Sequence, residues 1–272
     1  MMKTIPIDIS VKAVGEVEVS VDGELTSRHN DMLAGMGKVF AAALKGGSSK
    51  KINGIYALQD GGSGRLALSA PTRTGGGRGS NDWVEVQANW TNTTGSTVVF
   101  KQLWLTSEPF DANAQYLDIA NVDNDSISVS NNGTLTVKWK VSIPSSACQL
   151  SQAQRNQLAK GINPESAYGG TIYNINKGKF IYSSGDSGMI SAYEYTGGDG
   201  LTQRVTVDVR KTLTASHTIT EAEFYNSNNE LVIERTGLSL NGASGNTIRM
   251  LLTVTGLGVS SGGGGGGGGG IT

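Results

Sequence analysis

Residues 84–104 read VEVQANWTNTTGSTVVFKQLW, and residues 205–225 read VTVDVRKTLTASHTITEAEFY. At a constant offset of 121 positions they align without a gap, and five of the 21 pairs are identical: Val84/Val205, Val86/Val207, Thr91/Thr212, Thr93/Thr214 and Thr97/Thr218. Val98/Ile219, Leu103/Phe224 and Trp104/Tyr225 are conservative pairs. Each stretch opens on strict alternation. Val84, Val86, Ala88 and Trp90 are separated by Glu85, Gln87 and Asn89, and Val205, Val207 and Val209 by Thr206 and Asp208. A period of two is the mark of a half-buried strand. One strand–turn–strand pattern written twice predicts two related units in tandem.

The flanks repeat the same order. TLTVKWKVSI places Leu135, Val137, Trp139, Val141 and Ile143 on one face, and TIRMLLTVTG follows with Ile248, Met250, Leu252 and Val254. A helix over about 31–45 is expected from Met32, Met36, Val39, Phe40, Ala43 and Leu44 at helical spacing, with Asn30 or Asp31 as its cap. A second helix over about 150–160 is expected from Leu150, Ala153 and Leu158, with Ser151 and Gln154 as a capping box and Gly161 as its stop. The predicted fold is mainly β: two tandem, jelly-roll-like β-sandwich units, residues 1–143 and 144–258, each with one short helix. A Gly-rich tail, 259–272, follows.

Composition narrows the function. The 272 residues carry a formal net charge of −1, so no basic field is offered to nucleic acid. Charged residues make up only 17%, and 39 glycines stand against 5 prolines, a mix that suits an all-β chain with many tight turns. The single cysteine, Cys148, permits no intrachain disulfide and no cysteine-based zinc site. The opening MMKTIPIDISVKAVGEVEV has no apolar run of signal-peptide type. No stretch reaches the roughly 18 apolar residues of a membrane helix. A soluble protein made in a host cytoplasm, with no membrane partner, is expected.

Several segments carry a family resemblance. VEVSV at 17–21, Asn30, the small-residue helix through Leu44, and INGIYALQDG at 52–61 follow one another in order. TNTTG, an aromatic strand and VSNNGTLTVKWKVSI, Val129 to Ile143, come after them. This order resembles a loosely defined group of phage and archaeal-virus structural proteins found among head, neck and tail-associated components. The resemblance covers about residues 15–143, and Gln59-Asp60-Gly61 replaces the group's usual glycine pair. It implies a sandwich built to pack into a particle.

Each motif of catalytic or ligand type has a plainer reading. SSGDSGM, Ser183 to Met189, resembles the nucleophile loop of chymotrypsin-like proteases, which needs a histidine base. His29 lies at the predicted helix start in SRHND, and His217 aligns with Ser96 in the repeated turn, so Asp186 and Ser187 read as a hairpin turn. No catalytic residue and no cofactor site is assigned. Asp118, Asp123 and Asp125 in DIANVDNDS are the candidate calcium ligands, read as an oxygen-rich loop without EF-hand spacing. GGSGR, RTGGGRGSND and GMGKV lack the order of a phosphate loop. The N-x-S/T triplets at Asn89, Asn92, Asn124 and Asn132 read as accidents of composition. Trp83, Trp90, Trp104 and Trp139 keep a sugar-stacking platform open; against it, Trp90 and Trp139 read as core, while Trp83 and Trp104 are not assigned to either role.

The chain ends SSGGGGGGGGGIT. Ordering each glycine costs about 1–2 kcal/mol of backbone entropy, so a run containing Gly262, Gly266 and Gly270 is expected to be held by a neighbouring chain in an assembly. The expectation is a non-enzymatic virion structural protein, capsid-surface or head/tail-associated, that assembles with itself and with other virion proteins. The alternatives are a receptor- or glycan-binding sandwich (an adhesin contacting host-surface glycan) and a double-barrel major capsid protein.

Overall fold

The computed structural model describes residues 1–28, 31–32, 36–39, 41, 52–62, 64–69, 72–75, 82–107, 118–145, 150–162, 175–197 and 204–258. The chain is mainly β, with several sheets.

The two repeated stretches open as antiparallel ladders of equal length. β7 (Trp83–Thr91) pairs with β10 (Thr134–Ser142) over nine residue pairs, from Trp83↔Ser142 to Thr91↔Thr134. β15 (Arg204–Thr212) pairs with β19 (Thr247–Gly258) over nine pairs, from Arg204↔Thr255 to Thr212↔Thr247. Each ladder ends on a threonine pair in hydroxyl contact, Thr91–Thr134 at 3.2 Å and Thr212–Thr247 at 3.1 Å. The turns beyond them share a scheme. Asn92 N–H donates to Gly133 O, and Leu213 N–H donates to Asn246 O, both at 2.9 Å. Asn92 O then accepts from Asn132 N–H, and Leu213 O from Gly245 N–H. Asn132 (φ 65°) and Gly245 (φ 81°) both adopt the left-handed backbone that favours these two residue types.

A smaller sheet covers each ladder. Over the first, β8 (Val98–Ser107) lies between β4 (Ile52–Gln59) and β9 (Asp118–Val129), with β3 (Asp31–Met32) and β5 (Arg65–Ala67) at the edges. Over the second, β16 (His217–Asn226) lies between β11 (Ile175–Tyr182) and β17 (Leu231–Arg235), with β12 (Gly185–Asp186), β13 (Ile190–Ser191) and β18 (Leu240–Gly242) attached. The layers are in close contact. The rings of Trp90 and Phe100 meet edge to face at 5.1 Å. Gly178 on β11 has no room for a Cβ, because the Met250 methyl and Val209 Cγ2 fill that space. Trp139, Phe100, Phe180 and Phe224 are among the largest fully buried side chains.

One strand belongs to both halves. β1 (Met2–Val21) runs parallel to β19 through residues 2–13 and antiparallel to β10 through residues 14–21. β2 (Glu24–Arg28) folds back on its second half. Ile5, Ile7, Val11, Ala13, Val17 and Val19 are all buried. The inward face therefore keeps one phase over the whole strand, and a single alternating run feeds one buried apolar cluster that draws on both halves. With β6 (Thr72–Gly75) and β14 (Glu194–Gly197), the larger sheet has the order β14-β15-β19-β1-β10-β7-β6 among the described residues. The expected boundary at 143/144 thus does not separate the strand pairings, since residues 2–13 pair within the second half.

Both helices differ in detail from expectation. Asp31 and Met32, expected to begin a helix, form β3 and pair with Asn121 and Ala120; residues 36–39 and 41 are helical (α1). Pairing with an available strand edge outweighs the capping preference of Asp31 there. The second helix, α2 (Gln152–Ile162), carries the expected capping box: Gln154 Oε1 accepts from Ser151 N–H at 2.8 Å, and Ser151 Oγ accepts from Gln154 N–H at 3.3 Å. Its buried face is Leu158, Ala159 and Ile162, not Ala153, which is exposed. Arg155 is also drawn inward, donating to Asp82 at 2.9 Å and to Leu150 O at 2.8 Å. Gly161 does not stop the helix, which continues through Ile162.

Candidate functional site

Ser187 lies in a tight hairpin. Its Oγ accepts from Phe180 N–H at 2.9 Å and donates to Gly188 O at 2.8 Å, while Asp186 Oδ1 accepts from Gly188 N–H at 2.8 Å. The hydroxyl is occupied by its own turn, which is the geometry expected from Asp-Ser-Gly between two strands. His217 stands at the start of β16, its ring stacked on Tyr182 with centroids 4.2 Å apart. Burial raises the Tyr182 hydroxyl above its usual range, against a hydrogen bond with Ser187. His29 lies outside the described residues.

Asp118, Asp123 and Asp125 belong to strand β9, not to a loop. An extended backbone rises about 3.3 Å per residue, so Asp118 and Asp123 are separated by roughly 16 Å of strand. That is not the curled loop the calcium reading requires. Residues 259–272, with Gly262, Gly266 and Gly270, lie outside the described residues, as do 76–81 of the Gly-rich RTGGGRGSND and Cys148.

The tryptophans are largely engaged. Trp139 is fully buried, and Trp90 packs against the core as expected. Trp104 is buried too, with the Arg65 guanidinium 3.9 Å from its ring centre, and Lys140 sits 5.5 Å from the centre of Trp83. No face shared by these four rings is left for a sugar. Among the described residues the exposed aromatic is instead Tyr193, 67% accessible, with the Arg210 guanidinium 3.8 Å from its ring.

Tyr193 borders an ionic cluster that sequence reading passed over. Asp208, on the outer face of β15, is only 2% exposed. Arg210 Nη2 donates to its Oδ2 at 2.7 Å, and Arg249 donates to the same oxygen through Nε at 2.9 Å. Burial alone would raise this carboxyl; the hydrogen bonds and charges of the two arginines outweigh it and hold the pKa below the usual range. A groove of about 210 Å³ opens beside it, lined by Glu194, Thr196, Thr206, Asp208, Arg249 and Leu251. In sequence, Asp208 is one polar residue of an alternating strand. Its partner Arg249 comes from another strand 41 residues on, and only the register reveals the pair. Glu221, Glu223 and Glu234 form a second cluster with carboxylates within 4.8 Å, where Lys179 stands 3.1 Å from Glu223.

Among the described residues no helix is long and apolar enough to cross a membrane. Comparison with protein-family models and with curated proteins finds no match for this chain.

Proposed function

We propose that the chain is a non-enzymatic structural protein of a virus particle, assembling with itself and with other virion proteins, and built from two related jelly-roll-like units in tandem. One observation carries the reading: two ladders of the same length, each ended by a threonine pair and the same turn bonds, share the single strand β1. The resemblance of residues 15–143 to phage and archaeal-virus structural proteins supports the same conclusion, and a double-barrel capsid subunit is its variant. Light scattering of the full chain over a range of concentrations tests it. Discrete trimers, pentamers, hexamers or larger closed particles are expected, and a monomer at all concentrations would count against it.

A receptor- or glycan-binding module is the second reading, favoured by exposed Tyr193 beside the Asp208–Arg249 groove. Amphipathic tyrosines of this kind are frequent anchors in recognition surfaces. Substituting Tyr193→Ala abolishes glycan-array binding on this reading and leaves the native mass unchanged.

A further inference from the structure

The two turn networks share their backbone bonds but differ in what fills them. In the first half, the residue following the ladder is Asn92, fully buried, whose Nδ2 donates to Ser96 O at 2.7 Å, Val129 O at 2.8 Å and Ser130 O at 3.1 Å. That amide ties the loop after β7 to the turn before β10. The corresponding residue in the second half is Leu213, which packs against Gly242 and cannot bond to carbonyls. At this end of the second half lies an open cup of about 470 Å³. Its floor and walls come from Lys3 at the start of β1, Ser183 and Ser184 of the β11–β12 turn, His217, and Asn241 and Asn246 from either side of the turn before β19.

The chemistry of the cup is one-sided. Of the described residues that line it, Lys3 is the one with a full charge, and no carboxylate is among them. The Lys3 ammonium has three N–H donors, one of which goes to Asn241 O at 2.6 Å. His217 Nδ1 is buried without a hydrogen-bond partner, and an imidazole ring always carries at least one N–H donor. Stacking on Tyr182 fixes the plane of that ring. Serine hydroxyls and amide side chains add adaptable donors. A concave site rich in donors, with one cation and no acid, is complementary to a small oxyanion.

We propose that this cup binds an oxyanion, the carboxylate of an acidic sugar or a phosphate, with Lys3 supplying charge and His217 and the Ser183–Ser184 turn supplying hydrogen bonds. The site does not rest on the assembly reading, because ligand binding and native mass are read separately.

The experiment is a titration of the full chain with glucuronate, inorganic phosphate and glucose, followed by the imidazole NMR signals. Only two histidines are present, so His217→Gln assigns the signals directly. Saturable shifts of the His217 signals with glucuronate, phosphate or both, below about 10 mM, support the proposal, and the preferred anion identifies the source. Lys3→Gln, which keeps a donor for Asn241 O, should weaken the response by roughly tenfold or more. Its unchanged melting temperature would show that the fold is retained. Ser184→Ala, on an exposed turn, should weaken binding without affecting folding. Absence of a His217 response to either anion overturns the proposal. So does a response to glucose equal to that to glucuronate, or one that Lys3→Gln and Ser184→Ala both leave intact.

Discussion

Asn92 shows how one side chain can hold a turn. Its amide oxygen accepts from the N–H and hydroxyl of Thr94, at 3.0 and 2.8 Å, and its nitrogen reaches the three carbonyls across the turn. Leucine at the same place leaves buried carbonyls without a donor, so Asn92→Leu should cost about 2–4 kcal/mol, read from the urea midpoint. An unchanged midpoint would show that the turn is held by its backbone bonds alone. Asp208 makes a second prediction, in pH. Its folded pKa is depressed, so its contribution is present above the unfolded value of about 3.9 and is lost as pH falls through the folded value. Asp208→Asn should therefore be less stable than wild type at pH 7, with the gap closing on acidification below about pH 4. A gap independent of pH would mean that packing, not charge, is what the substitution removes.

Among the elements, β1 does the most to join the structure. Residues 2–13 cover the edge of β19, and Ile5, Ile7, Val11 and Ala13 belong to the buried apolar cluster. Deleting residues 1–13 removes these apolar side chains and bares an edge strand, a template for pairing with other chains. The truncated chain is expected to aggregate and to lose protection from hydrogen exchange in both ladders, β7 and β10 as well as β19 and β15. Protection kept in β7 and β10 alone would show that the first half folds without the second.

For the whole molecule, the shared strand has a thermodynamic consequence. The buried apolar residues of both halves form one cluster among the described residues. Ile7 and Val19 lie on one strand and one face of it, so the opening of either half removes the support of the other. Scanning calorimetry should give one transition with calorimetric and van't Hoff enthalpies in agreement. Two resolved transitions would show that β1 can fray from one half while held in the other.

What the sequence determined by itself was local and periodic. Alternation at Val84–Trp90, Val205–Val209 and Leu135–Ile143 placed strands and their inward faces, because a pleated backbone turns every second residue the same way. Ser151 and Gln154 announced a helix start, because a capping box is closed within four residues. The tertiary structure decided whatever depended on a partner distant in the chain. Ile5, Ile7 and Val11 alternate as plainly as any strand, yet their pairing with β19 joins residues more than 240 positions apart. Asp31 and Met32 left the predicted helix because the edge of β9 was there to pair with. Asp208 met Arg249 through the register of β15 on β19, and Lys3 met Asn241 across two different sheets. Local propensity is a property of neighbouring residues, whereas a site assembled from several strands exists only once the sheets have aligned.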